Sequence, residues 1–148
     1  MKKVSLLASC LIFAAFFAPT VTAQTEAQKV ALCTKIAGDA TFLSSYTIQL
    51  DAAQDGQRPP IFRQAVAIKK GNRYRFSICT DEESVGEAIL QLYDEGKMMV
   101  SSYDPNTGKT FQNFDFDCSK TAYYVIFVSF KDGRQGSAIS VLSHVKTL

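Results

Sequence analysis

The run YYVIFVSF, residues 123–130, constrains the fold more than any other part of the chain. It holds no charge and stops at Lys131, Asp132 and Gly133. Eight residues are far short of the roughly 20 that a membrane-spanning helix needs. Aromatic and β-branched side chains dominate it and the turn-forming stretch KDGRQG closes it, so it reads as a strand. A strand with no polar side predicts a central position covered on both faces. A charge at Ile126 or Val128 is expected to cost more than one anywhere else.

From residue 61 the chain alternates in short runs separated by turn chemistry. IFRQAVAIKKGNRYRFSI reads as two strands joined at Gly71 and Asn72, with Tyr74, Phe76 and Ile78 on the core face and Arg73, Arg75 and Ser77 on the other. EAILQLYDEGKMMVSSYD repeats the device around Glu95 and Gly96. YDPNTGK turns the chain through Pro105, Asn106 and Gly108, and TFQNFDF follows with Phe114 and Phe116 alternating. SAISVLSHV is expected to be the antiparallel neighbour of the central strand, with Ala138, Ser140, Leu142 and His144 on one side and Ile139, Val141 and Ser143 on the other. Upstream, TEAQKVALCTKIAG places Ala27, Val30, Ala31 and Thr34 at helical spacing, with Gly38 set to end a short amphipathic helix. YTIQL, residues 46–50, is a strand, and DAAQDGQRPP, residues 51–60, is a loop. Seven or eight strands at this spacing predict an all-β fold: a two-sheet antiparallel β-sandwich with a short N-terminal helix.

Residues 1–23 have the build of a secretory signal peptide: Lys2 and Lys3, an apolar stretch from Val4 to Ala18, then small residues Val21 and Ala23 before Gln24. Leu7-Ala8-Ser9-Cys10 resembles a lipoprotein box that would acylate Cys10, but most of the apolar region follows Cys10 instead of preceding it. Cleavage before Gln24 leaves 14 of the 16 basic side chains against 14 acidic ones. A mature chain with no formal charge lacks the basic footprint of a nucleic-acid or anionic-membrane binder. We divide the remainder into residues 24–60, the helix, first strand and loop packing on the sandwich, and residues 61–148, its core.

Three cysteines, Cys33, Cys79 and Cys118, survive cleavage and enter a potentially oxidising compartment. One disulfide is expected. Cys79–Cys118 is favoured because each cysteine closes a strand-like run, although antiparallel neighbours would set those ends at opposite edges; Cys33 with either remains open. The chain has no C-x-x-C spacing and His144 as its one histidine, so neither zinc nor any other cofactor is expected.

Catalytic chemistry has little to work with. His144 has no acidic neighbour in sequence, and Asp115 and Asp117 alternate with Phe114 and Phe116 as outward strand residues do; the other carboxylate cluster, Asp81, Glu82 and Glu83, has the composition of a loop. Asp104, Asn106 and Gly108 imitate the start of a calcium loop, but Gly108 falls one place early and a hairpin turn suits them better. We take Lys69, Lys70, Arg73 and Arg75 as a local basic face and, with Tyr93 and Tyr103, as the candidate partner or ligand surface. Tyr46, Tyr93, Tyr103 and Tyr123 offer a sugar-stacking platform, weakened by the absence of tryptophan.

Gly71 before Tyr74-x-Phe76, a strand ending Leu92-Tyr93-Asp94, and the aromatic-led YYVIFV together resemble the bacterial pre-peptidase C-terminal domain across residues 61–143. That family's Asp-x-Asp before the Leu-Tyr-Asp strand is missing, with Glu87 the nearby acid, and Ala122 replaces its usual glycine; calcium binding is not carried over. The resemblance implies a jelly-roll-like accessory or adhesive module. The chain therefore reads as an exported, non-enzymatic domain of the bacterial cell envelope, periplasmic, outer-surface or extracellular, that acts through protein–protein contact. The other reading is a carbohydrate-binding module, with polysaccharide as its partner.

Overall fold

The computed structural model describes residues 24–148; the expected signal peptide, its expected cleavage site and Cys10 lie outside the described residues. In chain order the elements are α1 (Glu26–Ile36), β1 (Thr41–Leu50), β2 (Phe62–Ile68), β3 (Asn72–Thr80), β4 (Ala88–Asp94), β5 (Lys97–Ser101), β6 (Tyr103–Asp104), β7 (Lys109–Thr110), β8 (Asn113–Cys118), β9 (Ala122–Phe130), a 3-10 turn at Lys131–Gly133, and β10 (Gly136–Thr147). Eight strands build two four-stranded antiparallel sheets, ordered β1-β10-β3-β8 (sheet A) and β2-β9-β4-β5 (sheet B), while β6 and β7 form a separate ribbon. This is the all-β sandwich with a short helix that the alternation predicts.

Alternation also fixes the core. Tyr74, Phe76 and Ile78 from β3, with Ile48, Ala138 and Leu142, face Tyr124, Ile126, Val128 and Phe130 from β9, backed by Val66, Ile68, Leu90 and Leu92. Ile126 and Val128 are 1% and 0% exposed, at the centre of the space between the sheets. Tyr124 keeps its phenol among them by donating from Oη to the Lys120 carbonyl at 3.0 Å, and burial pushes its pKa up to about 12.

Two neighbour relations differ from the sequence reading, both for one reason: a period of two assigns faces but not sheets. Gly71–Asn72 does not close a hairpin. It carries the chain from β2 in sheet B to β3 in sheet A, and is held by Lys70 N on Thr121 Oγ1 (2.9 Å) and Gly71 N on the Cys118 carbonyl (2.9 Å) in place of a strand ladder. β10 is likewise not β9's neighbour: it crosses to sheet A, between β1 and β3. At that crossing a Cβ on Gly136 would lie 2.3 Å from the Phe130 ring, so the position admits only glycine. The β4–β5 turn is a true hairpin, with Glu95 (φ 47°) and Gly96 (φ 80°) both left-handed as a tight primed turn requires. β1 is hydrogen-bonded to β10 and puts Ile48 in the core, so the sandwich draws strands from both sides of the boundary expected at residue 60.

A separate difference concerns the cover on β9. It is a central strand between β2 and β4, but it is covered on one face only: Tyr123 is 76% exposed, and Val125, Phe127 and Ser129 are half-buried. The helix lies on the other sheet. α1 starts with a reciprocal cap, Gln28 N to Thr25 Oγ1 (3.3 Å) and Thr25 N to Gln28 Oε1 (2.9 Å), and ends at left-handed Gly38. Val30 and Cys33 pack on Ile139 and Val141 of β10, while Ala27 and Ala31, expected on the buried face, are in solvent. Arg75 Nη1 (3.0 Å) and Asn113 Nδ2 (3.2 Å) donate to the helix's last carbonyls at Ala37 and Ile36, where side-chain donors are most needed.

The disulfide joins Cys33 to Cys79, with Cα atoms 5.7 Å apart, and Cys118 is a free buried thiol; the Cys79–Cys118 expectation is corrected. Cys118 lies opposite Asn72 in the β3–β8 register, so Cys79 is seven residues further along β3, about 23 Å at strand spacing. The two also occupy opposite faces, since Cys118 sits in the core and Cys79 meets the helix. Closing a 46-residue separation, the bridge stabilises the fold by about 4 kcal/mol in the chain-entropy picture. Non-reducing peptide mapping is expected to recover a Cys33–Cys79 pair with Cys118 alkylated only after denaturation, and Cys79→Ser to lower the unfolding free energy by about 2–4 kcal/mol.

Candidate binding face

The side chains that β9 turns away from the core lie in cross-strand rows. Arg63, Phe127 and Gln91 form one row across β2, β9 and β4; Ala65, Val125 and Tyr93 form the next; Ala67 and Tyr123 a third. Phe127 is held from two sides: the Tyr93 ring stacks on it at 4.3 Å between centroids and 23° between planes, and the Arg63 guanidinium lies 5.1 Å from its ring centroid. Tyr93 Oη donates to Gln91 Oε1 (3.4 Å) and Gln91 Nε2 to Met98 Sδ (3.4 Å), tying β4 to β5 on the same face. Met98 is 49% exposed and Tyr123 stands free at the far end of the row.

At the other end this face runs into an open cleft of about 540 Å³ lined by Pro59, Ile61, Ile89, Tyr103 and Phe130, with Arg58, Lys131 and Asp132 beside them. The Lys131 ammonium sits 5.6 Å from the Tyr103 ring centroid. Arg58, Arg63 and Lys131 have no carboxylate within ion-pair distance among the described residues.

The six residues proposed from sequence do not share a surface. Tyr93 and Tyr103 lie on the sheet B side. Arg73 and Arg75 lie on the outer face of sheet A, each in a two-pronged pair with the aspartate opposite it on β8: Arg73 to Asp117 at 2.6 and 2.8 Å, Arg75 to Asp115 at 2.6 and 2.9 Å. Lys69 and Lys70 are exposed at the β2–β3 turn. The Arg-x-Arg and Asp-x-Asp spacings were the signal that these strands neutralise each other. The hydrogen bonds from Arg75 and Arg73 hold the Asp115 and Asp117 carboxyls below the usual carboxylate range. Groups so held stay ionised at neutral pH and do not serve as a general acid. Glu83 of the acidic cluster is exposed beside Asp51 in a polar cleft of about 220 Å³, and Asp81 accepts Lys29 Nζ at 2.7 Å.

The remaining candidates hold structure together. Asp104 accepts Asn106 N and Thr107 Oγ1, both at 2.9 Å, which consumes its carboxylate in the turn. His144 Nε2 lies 3.0 Å from Asn72 Oδ1, and Tyr46 packs on Phe62. Among the described residues, no group of three histidine, cysteine or acidic side chains is placed to hold a metal ion, and no helix is long and apolar enough to cross a membrane.

Reading by residue type missed Arg63, Met98, Val125 and Phe127. The signal was present: β9 is apolar on two sides, and the sequence offers one short helix, which can cover one sheet.

These features define a β-sandwich with one outer face capped by a helix and the other left bare, aromatic and ordered. No family model matches the chain and no curated protein sequence matches it, so the pre-peptidase C-terminal resemblance stands on the layout of residues 61–143 alone. Among solved structures the chain is similar to Aeromonas hydrophila PliG, a periplasmic lysozyme inhibitor of g-type lysozyme, with a TM-score of 0.51 and 11% sequence identity over 72% of this chain and 89% of that one. The likeness is one of fold.

Asp115 and Asp117 generate a pH dependence whose sign is fixed. A carboxyl with a lowered folded pKa adds stability above its unfolded pKa, about 4, and loses it as pH falls through the folded value. Urea midpoints are therefore expected to hold from pH 7 to about 5 and to fall below about pH 4, with a shallower fall in Asp115→Asn/Asp117→Asn.

Proposed function

We propose that the chain is an exported, non-enzymatic domain that acts by protein–protein contact, with the outer face of sheet B as its contact surface. The observation that carries this reading is Phe127 fixed between Tyr93 and Arg63 on an uncovered sheet. Aromatic and arginine side chains dominate binding energy at interfaces, and side chains already held in place lose little entropy on docking. The Cys33–Cys79 disulfide suits an oxidising compartment, in line with the expected leader of residues 1–23. The PliG likeness adds support for the class of function, because that protein is a periplasmic inhibitor of another protein, and it makes a wall-degrading enzyme of the lysozyme type the first partner to test.

Sugar binding is less well served. Tyr93 and Phe127 spend ring faces on each other, Tyr46 turns to the core side, and Tyr103 sits under Lys131, so three coplanar exposed tyrosines are not assembled among the described residues.

The test is affinity capture by the mature protein from its native envelope, together with direct binding to a g-type lysozyme. One stoichiometric protein partner is expected, with Phe127→Ala weakening it at least about 30-fold, the scale of an interface hot spot, and Arg73→Ala leaving it unchanged. Retention on a polysaccharide alone, or partner binding indifferent to Phe127, overturns the proposal.

A further inference from the structure

The two sheets have four edges, and natural sheets blunt such edges with charge, proline or cover. Three of the four follow that rule. β8 carries Asp115 and Asp117; β5 begins at Lys97 and lies beside β8; β2 follows Pro59 and Pro60, carries Arg63, and has Gln64 Nε2 donating to the Ala65 carbonyl at 2.9 Å. β1 does not. Its ten residues, TFLSSYTIQL, include no charged side chain and no proline, and its Phe42 and Leu43 are 45% and 48% exposed. Apart from the ladder to β10, no backbone group of residues 41–50 makes a hydrogen bond with any other described residue.

We propose that β1 pairs antiparallel with β1 of a second copy of this chain, joining two A sheets into one eight-stranded sheet about a two-fold axis. Self-pairing is what the missing charge selects for. Near a two-fold axis each side chain meets its own kind, and like charges directly opposite one another are destabilising. Paired in the same way, β8 would set Asp115 and Asp117 against their copies, and β5 and β2 would do the same with Lys97 and Arg63. β1 alone among these edges has no charged side chain of its own, bringing serine, threonine, tyrosine, glutamine and apolar side chains together; the acid beside it, Glu26 of α1, accepts from Thr47 Oγ1 at 2.6 Å. The bulge between Phe42 and Ser44 bends one end of the strand, leaving Ser44–Leu50 as the regular segment that pairs. A two-fold perpendicular to the sheet turns both sheet B faces to the same side, so the dimer presents its aromatic face twice. The inference rests on sheet A and stands or falls independently of the binding role of sheet B.

Sedimentation of the mature protein over a concentration series, with hydrogen exchange read in parallel, tests it. The expected result is a rise in mass from one copy to two, with amides of residues 44–50 becoming protected over the same concentrations. In Thr47→Lys/Gln49→Lys, which places lysine at two exposed edge positions, both changes shift to at least tenfold higher concentration while thermal unfolding stays cooperative. A single-copy mass at every concentration overturns the proposal, as does a dimer that survives both lysines without protection of β1.

Discussion

The inward row of β9, Tyr124, Ile126, Val128 and Phe130, fills the space between the sheets and meets side chains from β3, β10, β4 and β2. Pleating then leaves no freedom to its alternate residues. Tyr123, Val125, Phe127 and Ser129 point the other way, onto a sheet face that the helix does not reach. The disulfide ties that helix to sheet A, because Cys33 on α1 and Cys79 on β3 bond across that sheet's outer side. The uncovered state of sheet B thus follows from how its opposite number is covered.

Charge is distributed in the same sense. On sheet A the arginines of β3 meet the aspartates of β8 in register, which cancels the charge locally and gives the helix end a donor from Arg75. On sheet B the cation of Arg63 is spent on an aromatic ring and keeps its hydrogen-bonding capacity toward solvent. A self-satisfied surface and an unsatisfied ordered one, on one small domain whose described residues carry no net formal charge, separate structural work from contact work.

The class of fold was legible because the signal for it is local. Tyr74, Phe76 and Ile78 alternate inward as their spacing requires, and the Glu95–Gly96 reversal is written in its residue types. Strand partnership was not legible, because it is a long-range choice. Nothing in residues 69–72 distinguishes a hairpin from a crossing between sheets, and the reason for glycine at 136 is the Phe130 ring it must pass. The cysteine pairing depended on the strand pairing: β3 and β8 are antiparallel neighbours, the arrangement that sets the two cysteine-bearing ends far apart. The candidate surface was half legible. Tyr93 lies within it, but the basic residues belonged to a ladder on the other sheet, and Phe127 was hidden in a run that reads as core from end to end.

Hydroxyl-radical footprinting of the free protein along β9 tests the central claim, that this strand is core on one side and bare on the other. Oxidation is expected at Tyr123 and Phe127 with protection at Tyr124, Ile126 and Phe130, a beat of two residues within one strand. Uniform protection from Tyr123 to Phe130 would contradict the account, since it would mean that both faces are covered and that sheet B has no open surface to offer.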